Sequence, residues 1–421
     1  MNKLYNKLFI FLPALSCLMA LSGCDRGQYE FESWEWLKDT SESAFQAYST
    51  RVTDLSKGIP ADCLIPVDET TKTTSTTVNV LVSDIFEVLN KGKVLEISGK
   101  YESFSLKDFS RGWLSGKVLL PKDRRPSRYI IVNHYTIGAN YEAPSNIFPI
   151  EGVLCDMGYA LICPDYRGYG IDAHNIHPYL IMDQTAFDVC MMYFAVKSTL
   201  EGTPYQPVHD DIYIMGFSQG GAVTMAVEYY LETIFGLKNR IRQVFAGGGP
   251  YDVRETYSNF INTNVVNIAP AVPLVVQGMI YGNDLDIDMG EILEPWVCEK
   301  MDEWINSKNY SVDQLRTLMG TTTTSDLLTD KGMDQTSDEV SELYKAMTEN
   351  SILAYNWSPQ APVYLFHSME DNVVPFVNAA KAKNKWKDAN IQYNFGYYGT
   401  HQSATLRFIY TVKTWLKNEG E

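Results

Sequence analysis

The stretch from Ile212 to Glu232, "IYIMGFSQGGAVTMAVEYYLE", constrains the fold more than any other part of the chain. An apolar run, Ile212 to Met215, leads through Gly216-Phe217-Ser218-Gln219-Gly220 into a segment of good helix formers. At ordinary glycine and serine frequencies, a G-x-S-x-G match arises by chance in roughly one chain in seven of this length, so the pentad alone decides little. Its context decides more. A buried strand, a sharp turn and a helix in direct succession are what lift a serine Oγ above a sheet edge. Gly216, Gly220 and Gly221 suit a backbone that turns within touching distance of its neighbours. The helix start also points the Gln219 N–H at an anion developing near the serine. A tight turn with an idle serine is the competing reading, and the strand and helix on either side count against it.

The rest of the chain repeats this alternation. "KVLEISGKYES" (93–103) and "RGWLSGKVLLP" (111–121) alternate as hairpin strands do. "RYIIVNHY" (128–135) is a continuous apolar run suited to a central parallel strand. Tyr159 to Cys163 forms the next strand, and residues 183–200 have helical spacing with Asp183 as the cap. "RQVFAGGGP" (242–250) is a strand, after which the rhythm breaks into a helical stretch from 251 to about 356. "APVYLFHS" (361–368) resumes it, followed by a helix near 376–386, the strand "IQYNFGYY" and a final helix over 402–418. This order implies an α/β fold with a mostly parallel central sheet, helices on both faces and a mainly helical cap inserted between late strands. The expected core spans 91–250 and 357–421, with the cap at 251–356.

The N-terminus is separate from this core. Lys3 and Lys7 precede "LFIFLPALSCLMAL", which is too short to span a bilayer comfortably, and the run ends in Leu21-Ser22-Gly23-Cys24. This ending resembles a bacterial lipobox, which implies a signal peptide over 1–23, cleavage before Cys24 and lipid on its thiol. An ordinary signal peptide with a coincidental cysteine is the alternative. Residues 24–90 then form a tether and N-terminal segment, with a helix from roughly Trp34 to Leu55 and a polar loop at 68–77. The chain carries 35 basic and 51 acidic residues; without Lys3 and Lys7 the balance is 33 against 51, a formal −18. Such a surface repels nucleic acid and anionic headgroups, so membrane association is expected from the lipid alone. The expected location is the bacterial cell envelope, periplasmic or surface-facing. Once Cys17 leaves and Cys24 is acylated, Cys63, Cys155, Cys163, Cys190 and Cys298 remain, an odd number. Cys155, Cys163 and Cys190 read as small buried hydrophobes. No C-x-x-C or His/Cys cluster suggests a metal, and no cofactor is expected.

A serine nucleophile needs a base, and the base an orienting acid. Of six histidines, His401 in "YYGTHQS" lies just past a late strand, where the order Ser, Asp or Glu, His requires it. His367 is the nearest rival but precedes the acid. His174 and His177 in "DAHNIHPY" read as structural, and His209 as solvated. For the acid, "HSMEDNVVP" offers Glu370 and Asp371, and Asp371 is preferred because D-x-x-V-P leads straight into a helix.

At this point the chain resembles a known group. From about residue 90 to the end it looks like an α/β-hydrolase. It is similar to that superfamily's secretory lipase group through "GFSQGG", "APSN", "CPDYRGYG", "HPYL" and an insertion after "AGGGPYD". The resemblance implies Ser218 as nucleophile, Asp371 as acid and His401 as base. It also implies an oxyanion donor after the third core strand, commonly from His-Gly-X. Here that stretch is His134-Tyr135-Thr136, so the Thr136 N–H is the candidate, with the Gln219 N–H as its partner. Hydrolysis of a small-molecule or lipid-like carboxylic ester follows as the expected activity. The alternatives are a serine peptidase of the prolyl-oligopeptidase type and a non-catalytic surface lipoprotein on a hydrolase scaffold. Within the cap, Val265 to Gly282 is the most apolar stretch. Pro270 and Pro273 argue against one continuous helix there, and the stretch is expected either to pack the cap or to wall an acyl pocket.

Overall fold

The structure is a computed structural model that describes residues 44–66 and 76–419. The signal peptide, Cys24 and the first part of the expected Trp34–Leu55 helix lie outside the described residues, as does most of the polar loop. Nine described strands form one sheet in the order β1-β2-β3-β5-β4-β6-β7-β8-β9. They are β1 (Phe45–Asp54), β2 (Lys93–Phe104), β3 (Arg111–Pro121), β4 (Tyr129–Asn133), β5 (Ala160–Pro164), β6 (Ile212–Phe217), β7 (Ile241–Gly247), β8 (Val363–Ser368) and β9 (Ile391–Gly396). The pairs from β1 through β3 to β5 are antiparallel, and those from β5 to β9 are parallel.

The chief helices are α1 (Thr76–Ile85), α2 (Met182–Leu200), α3 (Gln219–Tyr229), α4 (Val253–Thr263), α5 (Ala271–Asn283), α6 (Val312–Met319), α7 (Asp338–Glu349), α8 (Val377–Lys385) and α9 (His401–Glu419). Strand alternation divides the core. Ile131, Ile212 and Ile214 join one cluster with Val189, Met192 and Val223 from α2 and α3. Ile130, Tyr213 and Met215 face the other side, against Ile85 of α1 and Phe408, Val412 and Leu416 of α9. Such strands are buried on both faces, which is why they read as unbroken apolar runs. The cap helices α4 to α7 occupy the chain between β7 and β8, and Phe260, Val276, Met279 and Leu343 merge them into the first cluster.

Three local expectations are corrected. Where a helix was expected up to Leu55, the chain forms β1, an edge strand antiparallel to β2. Thr50, Val52 and Thr53 favour extended backbone, but only Phe45 of the strand is buried, so no alternation announces it. Asp183 is not the α2 cap. The helix begins one residue earlier, with Ile181 at the cap position, and the Asp183 carboxylate accepts instead from the Tyr355 hydroxyl at 2.7 Å. A partner distant in sequence took the side chain that the local rule assigned to the helix end. The polar loop expected to run to 77 gives way to α1 at Thr76.

Pro270 caps α5 and Pro273 sits in its first turn, where backbone N–H groups have no intrahelical acceptor and proline costs little. The prolines therefore set where the helix starts. Cys63, Cys155, Cys163, Cys190 and Cys298 are all free thiols, with Cys155, Cys163 and Cys190 buried.

Candidate active site

Strand β4 is the point where the sheet order reverses, because its neighbours β5 and β6 are reached by chain running in opposite directions along the sheet. Ligands of open α/β sheets bind beyond the strand ends at such a reversal. The pairing of Asn133 with Gly216 brings the loop after β4 beside the turn after β6. Thr136 and Ser218 consequently face one cleft.

Ser218 sits in that turn with φ 59° and ψ −127°. A side chain with a Cβ is strained at positive φ, so the surroundings must hold it. The Ser218 N–H donates to the Gly247 carbonyl at 2.9 Å, and its own carbonyl accepts from the Gly221 N–H at 2.8 Å. Close approach explains the glycines. A Cβ on Gly220 would stand 2.0 Å from the Asn133 carbonyl oxygen, and one on Gly221 would stand 2.3 Å from that of Gly247.

His401 opens α9, with its ring packed on Phe217 at a 4.9 Å centroid separation. Its Nε2 lies 2.7 Å from Ser218 Oγ and its Nδ1 lies 2.6 Å from Asp371 Oδ2. A carboxylate only accepts, so Nδ1 carries the proton and Nε2 presents a lone pair to the serine hydroxyl. The Asp371 side chain is fully buried. Its Oδ1 accepts from the N–H groups of Val373 and Val374 at 3.0 and 2.8 Å, which orients the carboxylate. Burial pushes this carboxyl up, but His401, then His367 and the Val373 N–H, outweigh it and hold it below the usual carboxylate value.

Glu370 is exposed, and its Oε2 accepts from the Gly399 N–H instead. His367 is buried beneath the acid: its Nε2 donates to the Val374 carbonyl at 3.0 Å and lies 3.6 Å from Asp371 Oδ2. Burial lowers its pKa, so the ring is a neutral support. His174 and His209 are exposed.

No described residue accepts from the backbone N–H of Gln219 or of Thr136. Tyr135, the middle residue of His134-Tyr135-Thr136, lines the cleft. The cleft holds about 980 Å³. Leu64 and Ile65 line it from the N-terminal segment, and Phe260, Ile268, Ala271 and Val275 line it from the cap. Phe260, Ala271 and Val275 also belong to the core cluster, and Met279, one turn beyond Val275, belongs to it without lining the cleft. Sequence reasoning missed the contributions of Leu64, Ile65 and Phe260, since isolated apolar residues far apart in sequence carry no periodic signal.

No curated protein gives a significant sequence match. Among solved structures, the chain is similar to a rice cell wall degrading esterase, LipA from Xanthomonas oryzae. The identity is 18% and the TM-score 0.65, over 80% of this chain and 92% of that one. A putative hydrolase from Legionella pneumophila matches at 18% identity and TM-score 0.67, covering 81% of this chain and 94% of that one. Candida antarctica lipase A matches at 14% identity and TM-score 0.57, covering 84% and 77%. These likenesses show an α/β-hydrolase fold. The family model for secretory lipases matches residues 145–418, most of the chain and all of the segment from the serine turn to α9, and the protein therefore belongs to the secretory lipase family.

Proposed function

We propose that this ester hydrolase works through an acyl-enzyme on Ser218, with His401 as base and Asp371 as its orienting acid. The observation that carries the reading is the unbroken chain from Ser218 Oγ through His401 to the buried Asp371, at 2.7 and 2.6 Å, with Ser218 and His401 lining the cleft. As Oγ bonds to the ester carbonyl carbon, its proton passes to His401 Nε2. The carbonyl oxygen becomes an oxyanion, for which the unengaged N–H groups of Gln219 and Thr136 are the donors. Collapse expels the alcohol, which takes the proton from Nε2. Water, deprotonated by His401 Nε2, then attacks the acyl carbon, and collapse breaks its bond to Ser218 Oγ, which takes the proton back from Nε2 as the acid leaves.

The apolar wall from the cap supplies the acyl site. Each methylene buried there should contribute about 0.8 kcal/mol. A panel of p-nitrophenyl esters from acetate to palmitate, run beside aminoacyl anilides, tests the reading. Esters should be cleaved and anilides left intact, with kcat/KM rising beyond acetate. Rapid anilide cleavage would instead favour a peptidase. Val275→Asp should lower activity on butyrate and longer esters at least tenfold more than on acetate. An equal loss on every ester, tracking the thermal midpoint, would assign Val275 to packing only.

Membership of a secretory family supports export, and among the described residues no helix is long and apolar enough to cross a membrane. We propose lipid attachment at Cys24 as the anchor. Cys24→Ser should move the protein from the detergent-extracted membrane fraction to an unprocessed or released form. An unmodified Cys24 in the wild-type protein, seen by mass spectrometry, would contradict the anchor.

A further inference from the structure

The turn His177-Pro178-Tyr179-Leu180 touches both candidate oxyanion residues, which lie 83 positions apart in the sequence. His177 Nδ1 lies 2.7 Å from the Arg167 carbonyl oxygen, which only accepts, so Nδ1 carries the ring proton. The bare Nε2 then accepts from the Gln219 side-chain amide at 3.0 Å. Burial lowers the pKa of His177 to about 3, which keeps the ring neutral and in this role at ordinary pH. Two residues on, the Tyr179 hydroxyl shares a 2.7 Å hydrogen bond with Thr136 Oγ1.

The turn itself is rigid. The Tyr179 N–H closes on the His177 carbonyl at 2.8 Å, Pro178 fixes the residue between them, and Leu180 sits at φ 60°. Its two sides are tightly packed. A Cβ on Gly168 would stand 2.6 Å from His177 Cα, and a Cβ on Gly278 of α5 would stand 2.5 Å from the Tyr179 carbonyl oxygen. The rings of Tyr166, Tyr169 and Tyr179 surround the imidazole. Helix α3, by contrast, starts without a side-chain cap, since Ser218 makes no capping bond and its Oγ is turned to His401. The first residue of α3 is thus held from the His177 side.

We infer that His177 and Tyr179 are positioning residues: one rigid turn grips Gln219 and Thr136 and sets the spacing of the two oxyanion N–H donors. This rests on the proposed assignment of those donors. Removing an oxyanion donor costs about 10²- to 10³-fold in kcat, and misplacing one should cost less, roughly tenfold.

The test compares Tyr179→Phe, His177→Leu and His177→Gln in the full-length enzyme. Tyr179→Phe and His177→Leu should each lower kcat about tenfold while KM stays within about twofold. An alkyl boronic acid, whose tetrahedral adduct places an anionic oxygen in the hole, should bind about tenfold more weakly to both. His177→Gln should recover part of the loss, because its Oε1 can accept from Gln219. Thermal midpoints identify any variant that simply fails to fold. Wild-type kcat in Tyr179→Phe and in folded His177→Leu would overturn the inference, as would losses that follow the midpoint alone. A crystal structure of the wild-type phosphonate adduct separates the two claims. If its oxygen bonds to the Gln219 and Thr136 nitrogens while both variants keep wild-type kcat, only the positioning role fails. If it bonds elsewhere, the donor assignment fails and the inference with it.

Discussion

Ser218→Ala is expected to lower kcat on p-nitrophenyl esters by about 10⁴- to 10⁶-fold, with His401→Ala losing a similar amount. The losses should match because the two residues act as a unit. Without the imidazole the hydroxyl keeps its proton, and without the hydroxyl the imidazole has nothing to activate. Circular dichroism and thermal unfolding should show both variants folded. Ser218 N–H and carbonyl bonds are backbone contacts that alanine retains, and Gly220 and Gly221 still leave room for the turn. A double variant no slower than either single one would show the non-additivity of two residues that act as a unit. Losses that multiply would assign the two residues to separate tasks.

Asp371→Asn should be slowed by about 10⁴-fold, and the geometry says why. The Oδ1 position faces two N–H donors, from Val373 and Val374, so the asparagine amide would place its oxygen there. Its NH₂ would then point at His401 Nδ1 and force the ring proton onto Nε2. That tautomer offers Ser218 a donor where an acceptor is needed. Glu370→Gln, by comparison, changes only an exposed bond to the Gly399 N–H and should cost less than about threefold.

The same carboxylate also links stability to pH. Its folded pKa lies below the ordinary value, so its contribution is present above about pH 4, where the unfolded carboxyl ionises. That contribution is lost as pH falls through the lower, folded pKa. Thermal midpoints of the wild type should therefore fall more steeply in acid than those of Asp371→Asn. Parallel curves would show that Asp371 has no such role in stability.

Much of this was legible because strong signals were local. The apolar runs that became β4, β6 and β8 and the glycines around Ser218 each need only a few neighbouring residues to be read. Edge strand β1 was not legible, since it buries one residue and owes its conformation to pairing with β2. Asp183 was misassigned because Tyr355, its partner, lies across the fold in the segment leading back from the cap. "HPYL" could be recognised as a family motif, but nothing in it shows that His177 reaches Gln219 and Tyr179 reaches Thr136. Those contacts arise only when β4 and β6 pair and set their following loops side by side. Likewise, Val275 and Met279 look alike in sequence and share one face of α5, both joining the core cluster, and only their one-turn offset along the helix lets Val275 also reach the cleft.

An acyl-enzyme on Ser218 can be trapped by rapid acid quench of the enzyme with a p-nitrophenyl ester, followed by peptide mass mapping. The acyl mass is expected on the peptide containing Ser218, near one per chain at early times, and absent in Ser218→Ala. Acyl mass on another residue, or undiminished acylation of Ser218→Ala, would contradict it.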